Sequence, residues 1–330
     1  MVNFPFVEAE IEITRRCNLT CEYCVIPHDK RRREDELSIE QWKQGLDNLE
    51  KIGVKMINFM GGEPCVKEGV EELIKYVDSK PNMDYLFSTN GIIAGQILDK
   101  LLSFGLHNVV VSVDGIYFDP KELRGCGDNE FKSYHGFRLL KKLKEKGVEK
   151  LIGNFVVNKQ TMERLLDTYK HFAELGLYLN ITPEQWRKYG PPEQAPNRLT
   201  EEDRPKINEL MAKLIEIKIQ LDNYLINSNA YLQNFADLGI KQNYKCVQPR
   251  SLGFFEDGNL WYCNGWEGNI GQQKKYNILN ITNESMEEFL MDWKSDIEGM
   301  KCPGCTFSFR DRTGDFDYMC ENNIKNIWNN

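Results

Sequence analysis

Six short segments rich in β-branched residues alternate with amphipathic segments through the first half of the chain. The predicted strands are Glu8–Thr14, Val54–Met60, Asp84–Thr89, Asn108–Val113, Leu151–Val157 and Leu177–Thr182. Strands that alternate with helices of this length imply right-handed crossovers and a parallel sheet. Because six repeats are too few for a closed eight-fold barrel, we predict an α/β fold with an open, partial (β/α)6 TIM-like barrel.

Apolar periodicity and capping residues predict helices between these strands. Ser38 and Gln41 form a capping-box pattern at the start of one helix, which places Trp42, Leu46 and Leu49 on a single face. The further predicted helices are Glu68–Ser79, Ala94–Phe104, Lys132–Lys146, Met162–Glu174 and a long helix from Thr200 to about Leu221. In a barrel of this kind, ligands bind in the loops at the carboxyl ends of the strands.

The pattern changes after the sixth predicted strand, and this change predicts three parts of the chain. Residues 1–199 are predicted to form the partial barrel, 200–240 a linking helical segment and 241–330 a small cysteine-rich module. The last part is short on periodic structure and rich in Gly, Asn and Cys. Such a module needs a cross-link for stability, and a metal cluster can supply one.

Composition and charge argue against several classes of function. The 330 residues are 41% hydrophobic and 28% charged, which is typical of a globular protein. A net charge of -8 provides no attraction to nucleic acid or to an anionic membrane, so neither is expected as a partner. No signal peptide and no apolar run of membrane-spanning length is recognised, which predicts a cytoplasmic location. Because cytoplasmic thiols stay reduced, the ten cysteines indicate metal or redox chemistry rather than disulfides.

Three of these cysteines, Cys17, Cys21 and Cys24, follow the first predicted strand directly. They therefore belong to a loop at the carboxyl end of the sheet, where a (β/α) enzyme holds its active site. A 4Fe-4S cluster normally takes four thiolates, so three would leave one iron with open coordination, as in catalytic metal sites. A zinc site is the alternative, and it would need a fourth ligand from elsewhere in the chain.

The C-x3-C-x2-C spacing after the first strand resembles the signature of the radical S-adenosylmethionine (radical SAM) superfamily. The resemblance implies that the amino and carboxylate groups of S-adenosylmethionine complete the cluster. It implies further that an electron, from a donor such as flavodoxin or ferredoxin, cleaves this cosubstrate, and that the resulting 5'-deoxyadenosyl radical abstracts a hydrogen atom from a substrate. Tyr23 occupies the aromatic position of the motif and would pack near the adenine.

A second motif agrees with the resemblance. Gly61, Gly62, Glu63 and Pro64 follow the second predicted strand and resemble the family motif that receives the methionine amino group. The glycines are expected to let the backbone approach a ligand closely, the glutamate to supply a carboxylate and the proline to stiffen the turn. An ordinary turn is the alternative.

Residues near the ends of the later strands are implied to bind the cosubstrate. They are Thr89 and Asn90 in "FSTNG", Ser112 and Asp114 in "VVSVDG", Arg124, Asn154 and Ile181. Ser112 and Asp114 would share one face of their strand and bind the ribose. Arg124 would pair with the methionine carboxylate. The alternatives are a strand-end cap for Ser112 and Asp114, a surface ion pair for Arg124, and core packing for Asn154 and Ile181.

Five later cysteines form a second group. Cys246, Cys263, Cys302 and Cys305 resemble the ligands of the auxiliary-cluster extensions called SPASM and twitch, with Cys320 as an alternative ligand. The full SPASM pattern has seven cysteines, so a twitch-like module with one second 4Fe-4S cluster is expected. A structural zinc site made by the same four thiolates is the alternative.

Cys65 and Cys126 match neither group. Packing in the core is the common role of such residues. Cys126 is the better candidate for a hydrogen-atom donor to a substrate radical, a role that some relatives assign to a cysteine.

The predicted function is that of a radical SAM enzyme acting on a small molecule by oxidation or rearrangement, with the auxiliary cluster as electron acceptor. The first alternative is an enzyme of the same family that modifies a peptide or protein. The others are a methyl or adenosyl transferase on the same barrel and a non-catalytic iron-sulfur or zinc-binding protein.

Overall fold

The computed structural model describes residues 8–21, 23, 24, 26, 36–115, 135–184, 197–241, 251–261 and 272–299. The first six strands are β1 (Glu8–Thr14), β2 (Met56–Gly61), β3 (Asp84–Thr89), β4 (Asn108–Val113), β5 (Lys150–Val157) and β6 (Tyr178–Pro183). They lie side by side in chain order, and each neighbouring pair is parallel. The predicted α/β fold with a partial (β/α)6 barrel is therefore confirmed.

The helices follow the predicted pattern closely. They are α1 (Ile39–Lys51), α2 (Val70–Asp78), α3 (Gly95–Ser103), α4 (His135–Glu145), α5 (Leu165–Glu174), α6 (Arg204–Gln220), α7 (Asn229–Gln233) and α8 (Phe235–Lys241). The capping box before α1 is present, since Gln41 N donates to Ser38 Oγ and Ser38 N donates to Gln41 Oε1. It fixes the start of a helix whose Trp42, Leu46 and Leu49 are buried against the sheet.

The helices cover one face of the sheet, which we call the outer face. Alternate side chains of each strand point to it, among them Ile11, Phe59, Phe87, Val111 and Phe155, all of them buried in the main core. Apolar residues recur at every second position along each strand and about every 3.6 positions along each helix, so each element has one apolar face, and these faces pack together. The side chains between them point to the opposite, inner face of the barrel.

The inner face carries a polar layer. Asn58, Ser88, Ser112, Asn154 and Asn180 are half-buried there, one from each strand from β2 to β6. Hydrogen bonds join Ser88 Oγ to Asn58 Oδ1 (2.9 Å) and Asn180 Nδ2 to Asn154 Oδ1 (2.7 Å). A small apolar cluster of Leu86, Ile152 and Ile226 lies towards the amino ends of the strands. The layer is therefore polar towards the carboxyl ends, where a site is expected.

The chain after α8 extends the barrel sheet. Strand β7 (Ser251–Phe254) pairs in parallel with β1, and β8 (Asn259–Trp261) and β9 (Gln272–Asn277) follow in antiparallel order. A helix, α9 (Asn283–Gly299), comes next. The expectation of a tail with little regular structure is thus wrong for residues 251–261 and 272–299, where β7 and β8 are too short to show a period but β9 and α9 are regular elements of 6 and 17 residues. The division at residues 199 and 240 stays a prediction.

No helix among the described residues combines the length and the apolar character that crossing a bilayer requires.

Candidate active site

The loop that follows β1 holds Cys17, Cys21 and Cys24 at the carboxyl end of the sheet. All three thiols are half-buried, and none is in a disulfide. The backbone N–H of Cys24 donates to the carbonyl oxygen of Cys21 at 3.2 Å, which forms a tight turn between the last two cysteines. The three side chains are therefore presented from one short segment.

A cluster of charged and polar groups closes the two ends of this loop. Arg16 donates from Nε to Glu36 Oε1 (3.0 Å) and from Nη2 to Glu36 Oε2 (3.2 Å). Lys67 Nζ donates to Glu36 Oε2 at 3.1 Å, and the Thr14 hydroxyl donates to Glu36 Oε1. Burial alone would raise the pKa of Glu36, but the hydrogen bonds from Arg16, Thr14 and Lys67 outweigh it and lower that pKa. The ionised carboxylate thus anchors both ends of the cysteine loop.

Gly61 and Gly62 lie against the chain segment that leads into the cysteines. A Cβ at Gly61 would fall 2.1 Å from the Thr14 carbonyl oxygen, and one at Gly62 would fall 2.2 Å from that of Arg16. Gly62 N donates to Thr14 O (2.8 Å), and Glu63 N donates to Arg16 O (2.8 Å). The two glycines therefore allow a close approach to the protein's own backbone, which sets the path of the cysteine loop, and their approach to a ligand stays a prediction.

The Glu63 carboxylate is fully buried and points to the end of β3. It accepts hydrogen bonds from Cys65 N (3.1 Å), Thr89 Oγ1 (2.9 Å) and Asn90 N (2.7 Å). Burial raises the pKa of Glu63, and the hydrogen bonds from Asn90, Cys65 and Thr89 offset this only in part. The carboxylate therefore joins the turn after β2 to the end of β3.

Asn90 carries this connection to the cysteines. Its amide nitrogen lies 3.7 Å from Cys17 Sγ and 2.8 Å from Asn18 Oδ1, and it donates to both atoms. The backbone N–H of Leu19 also donates to Cys17 Sγ, at 3.4 Å. The Cys17 sulfur thus accepts N–H groups from both Asn90 and Leu19.

Tyr23 and Asp114 come together across the site. The phenol oxygen of Tyr23 lies 2.8 Å from Asp114 Oδ1, and Asp114 is fully buried just past the end of β4. Ser112 and Asn154 are half-buried on the inner face and lie opposite each other in the β4–β5 register. Asn154 Oδ1 accepts from Asn180, and its amide N–H groups have no acceptor within the described part of the chain. These side chains could bind a polar ligand at the inner face.

Ile181 lies apart from these residues. Its side chain is fully buried in the main core on the outer face, so core packing, the alternative left open by the sequence, describes it. Its backbone N–H donates to Asn227 Oδ1 at 2.7 Å.

Cys65 is buried beside the Gly-Gly-Glu-Pro turn, and burial raises the pKa of its thiol well above the ordinary value. Several predicted site residues lie outside the described part of the chain: Arg124, Cys126, Cys246, Cys263, Cys302, Cys305 and Cys320.

The donor set of the three-cysteine loop suits a 4Fe-4S cluster, because thiolates are the usual ligands of such a cluster. Within the ranges that the structure describes, no three Cys, His, Asp or Glu side chains converge as ligands of one ion would. Each thiolate that holds a 4Fe-4S cluster binds a separate iron. The two N–H donors to Cys17 Sγ would suit a thiolate, which accepts hydrogen bonds.

The sequence reasoning missed Glu36, Asn18 and the carboxylates of β1. Glu8, Glu10 and Glu12 are buried although their side chains are ionisable, and they alternate with the core residues of the same strand. The Glu-x-Glu-x-Glu pattern in "EAEIEIT" was a signal for an inner-face carboxylate row. Nothing local marked Glu36 or Asn18, because their partners are distant in sequence.

A surface cavity of about 570 Å³ lies at the amino ends of β4 and β5, where His107, Lys146 and Lys150 line it. Because the cysteine loop follows the carboxyl end of β1, this cavity is separate from the candidate site.

Comparison with known families agrees with this arrangement. Residues 11–172, from β1 into α5, match the radical SAM superfamily. The chain therefore belongs to the radical SAM superfamily, and these residues are its radical SAM domain.

Two curated relatives and one solved structure illustrate the similarity. A PqqA peptide cyclase of Granulibacter bethesdensis is 28% identical over 155 residues, which are 47% of this chain and 40% of that protein. A GTP 3',8-cyclase of Clostridium perfringens is 29% identical over 297 residues, 85% of this chain and 87% of that protein. Streptococcus suis SuiB bound to its precursor peptide SuiA shares the fold, with a TM-score of 0.66 at 15% identity over 92% of this chain and 70% of that one. The chain spans less than half the length of several curated relatives that it matches.

Proposed function

We propose that this protein is a radical SAM enzyme that abstracts a hydrogen atom from its substrate. When bound, the 4Fe-4S cluster and S-adenosylmethionine supply the chemistry, in which one electron splits the sulfonium into methionine and a 5'-deoxyadenosyl radical. The observation that carries the proposal is the three-cysteine loop, held at the carboxyl end of β1 within a radical SAM domain.

The proposed role of the chain is to hold and orient these groups. Cys17, Cys21 and Cys24 would ligate three irons. The residues proposed for the cosubstrate are Tyr23, Gly61, Gly62, Glu63, Pro64, Thr89, Asn90, Ser112, Asp114, Arg124 and Asn154, together with the backbone of Ile181. The Glu63 carboxylate is already hydrogen-bonded to the end of β3. We therefore propose that the turn containing Glu63 binds the methionine amino group through its backbone carbonyls instead.

A small molecule is the first candidate substrate. The GTP 3',8-cyclase relative supports it, because the similarity to an enzyme named for a nucleotide reaction runs through 85% of this chain. A peptide is the second candidate, which the PqqA peptide cyclase and the SuiB–SuiA complex support.

A second 4Fe-4S cluster is proposed on Cys246, Cys263, Cys302 and Cys305, with Cys320 as the alternative ligand. It would accept an electron from the substrate radical in an oxidation, and Cys126 could instead donate a hydrogen atom to that radical. A flavodoxin or ferredoxin is the proposed electron donor. These proposals rest on the cysteine spacing and on the family resemblance that it carries.

Anaerobic reconstitution with iron and sulfide tests the function. We expect about eight irons per chain for two clusters, and 5'-deoxyadenosine on addition of dithionite and S-adenosylmethionine. The Cys17→Ala, Cys21→Ala, Cys24→Ala triple variant should lose about half of the iron and all of the nucleoside. Cys65→Ala is the matched control, since it removes a buried thiol outside the loop and should retain both.

The same assay separates the alternatives. GTP is the first small molecule to add, followed by metabolite and peptide fractions, and the true substrate should stimulate 5'-deoxyadenosine formation. Label transfer from methyl- or adenosyl-labelled S-adenosylmethionine into the product would instead identify a transferase. A reconstituted protein without iron and without nucleoside formation would overturn the proposal and leave the binding-protein alternative.

A further inference from the structure

We propose that the side-chain amide of Asn90 tunes the reduction potential of the cluster on Cys17, by donating an N–H···S hydrogen bond to the Cys17 sulfur. This inference rests on the proposed function, because it requires a cluster on the cysteine loop. It makes Asn90 a positioning residue that acts through Cys17, in addition to any contact with the cosubstrate.

The geometry supports a directed interaction. Asn90 Nδ2 lies 3.7 Å from Cys17 Sγ, which is within hydrogen-bonding distance for the large sulfur atom. Leu19 N lies 3.4 Å from the same sulfur. The Leu19 donor is a backbone N–H, which every substitution except proline leaves in place, whereas the Asn90 donor is a side-chain amide that a substitution can remove.

The orientation of the Asn90 amide is fixed by its other bonds. Oδ1 accepts from Ile92 N at 2.8 Å, so it is the oxygen that faces Ile92 and the NH2 group that faces Cys17. Nδ2 donates its second hydrogen to Asn18 Oδ1 at 2.8 Å, while Asn18 Nδ2 donates to the Ile92 carbonyl oxygen at 3.0 Å. A flipped amide would break three of these contacts.

The backbone of Asn90 is fixed as well. Its N–H donates to Glu63 Oε2 at 2.7 Å, and the Glu63 carboxylate is fully buried. A donor that is already aligned before the cluster forms loses little conformational entropy when it meets the thiolate. The distance to the sulfur is thus determined by the chain rather than by the ligand.

The physical consequence concerns charge. Reduction adds one electron from a low-potential flavin or iron-sulfur donor, without forming or breaking a bond, and increases the negative charge on the cluster and its thiolates. Hydrogen bonds to the sulfurs are among the factors that set the potential of such a cluster. The N–H donor stabilises the more negative, reduced state, so its removal should make reduction harder.

Asn90→Asp and Asn90→Leu test this by redox titration of the reconstituted protein, followed by the EPR signal of the reduced cluster. Both substitutions remove the donor, but only the first adds a negative charge. We expect the midpoint reduction potential of the cluster to fall in each variant by up to ~59 mV, which for one electron is a tenfold change in the reduction equilibrium. Asn58→Asp is the matched control, because it adds the same charge on β2, where the only side-chain hydrogen bond of Asn58 within the described ranges is with Ser88.

The outcomes separate this inference from the proposed function. Wild-type potentials in both Asn90 variants would overturn the inference alone, and so would a fall of equal size in Asn58→Asp. If the wild-type protein assembles a cluster and neither Asn90 variant does, Asn90 has a structural role, and the inference that it tunes the reduction potential is overturned. A wild-type protein that takes up no iron would overturn the proposed function as well.

Discussion

The Tyr23 phenol donates a 2.8 Å hydrogen bond to Asp114, which is fully buried beyond the end of β4. Tyr23 stands between the second and third cysteines of the loop after β1. Strands β2 and β3 lie between β1 and β4 in the sheet. The bond therefore joins the cysteine loop to the far side of the site.

Tyr23→Phe should destabilise the cysteine loop. Removing the phenol oxygen leaves Asp114 Oδ1 without this donor in a buried place, at a cost of about 1–3 kcal/mol. We expect a lower free energy of unfolding in urea and, after reconstitution, faster loss of iron to a chelator. Tyr76→Phe is the matched control, since Tyr76 donates to Asp47 at 2.7 Å between α2 and α1. Equal iron retention in both variants would contradict the prediction.

Gly62→Ala should distort the path of the cysteine loop. The added Cβ would meet the carbonyl oxygens of Arg15 and Arg16 at 2.6 and 2.2 Å, so the backbone must shift. Overpacking of this kind costs about 1–3 kcal/mol, and urea unfolding should report it. Gly95→Ala, where a Cβ meets nothing within 4 Å at the start of α3, should be neutral or stabilising. A neutral Gly62→Ala would show that the loop adapts.

Glu36→Gln should remove a stabilisation that depends on pH. The pKa of Glu36 is lowered from its ordinary value of 4.5, so its contribution is fully present above pH 4.5 and is lost as pH falls through the folded-state pKa. The difference in thermal midpoint between the wild-type protein and the variant should be constant above pH 4.5 and shrink below it. Glu202→Gln, at an exposed site, is the control. A difference that persists unchanged at lower pH would contradict this account.

Glu63→Gln should weaken the junction between β2 and β3. Its carboxylate accepts from three donors, and an amide has only one acceptor oxygen. At least one buried N–H then loses its partner, for a loss of about 1–3 kcal/mol in urea unfolding. Glu40→Gln, on an exposed salt bridge of α1, should change stability by less than about 1 kcal/mol. Similar effects of the two substitutions would argue against a special role for Glu63.

Much of the barrel could be predicted from local patterns. The bounds of β1, β3 and β4 agree with the predicted strands, and α1 begins at its predicted capping box. Each of these elements is encoded by neighbouring residues, through a period of two or 3.6 and a capping pair. The position of Cys17, Cys21 and Cys24 at the carboxyl end of the sheet followed from the same reasoning, because the loop comes directly after a strand.

The short strands after α8 were not recognisable in this way. Strand β7 has four residues and gains its stability from parallel pairing with β1, whose first residue, Glu8, lies opposite Ser251. Pairing with a strand so distant in the chain cannot be recognised from a local sequence pattern.

The sequence by itself determined the strand–helix order, the cysteine spacing and therefore the class of chemistry, because these depend on residues close together in the chain. Only the tertiary structure decided what holds the loop. Asn90 and Cys17 are 73 residues apart, and Tyr23 and Asp114 are 91 apart. It also decided that Gly61 and Gly62 accommodate the backbone of Thr14–Arg16. Contacts of this kind join segments that are distant in the chain and that the sheet brings together at the carboxyl ends of its strands, so no local pattern in the sequence specifies them.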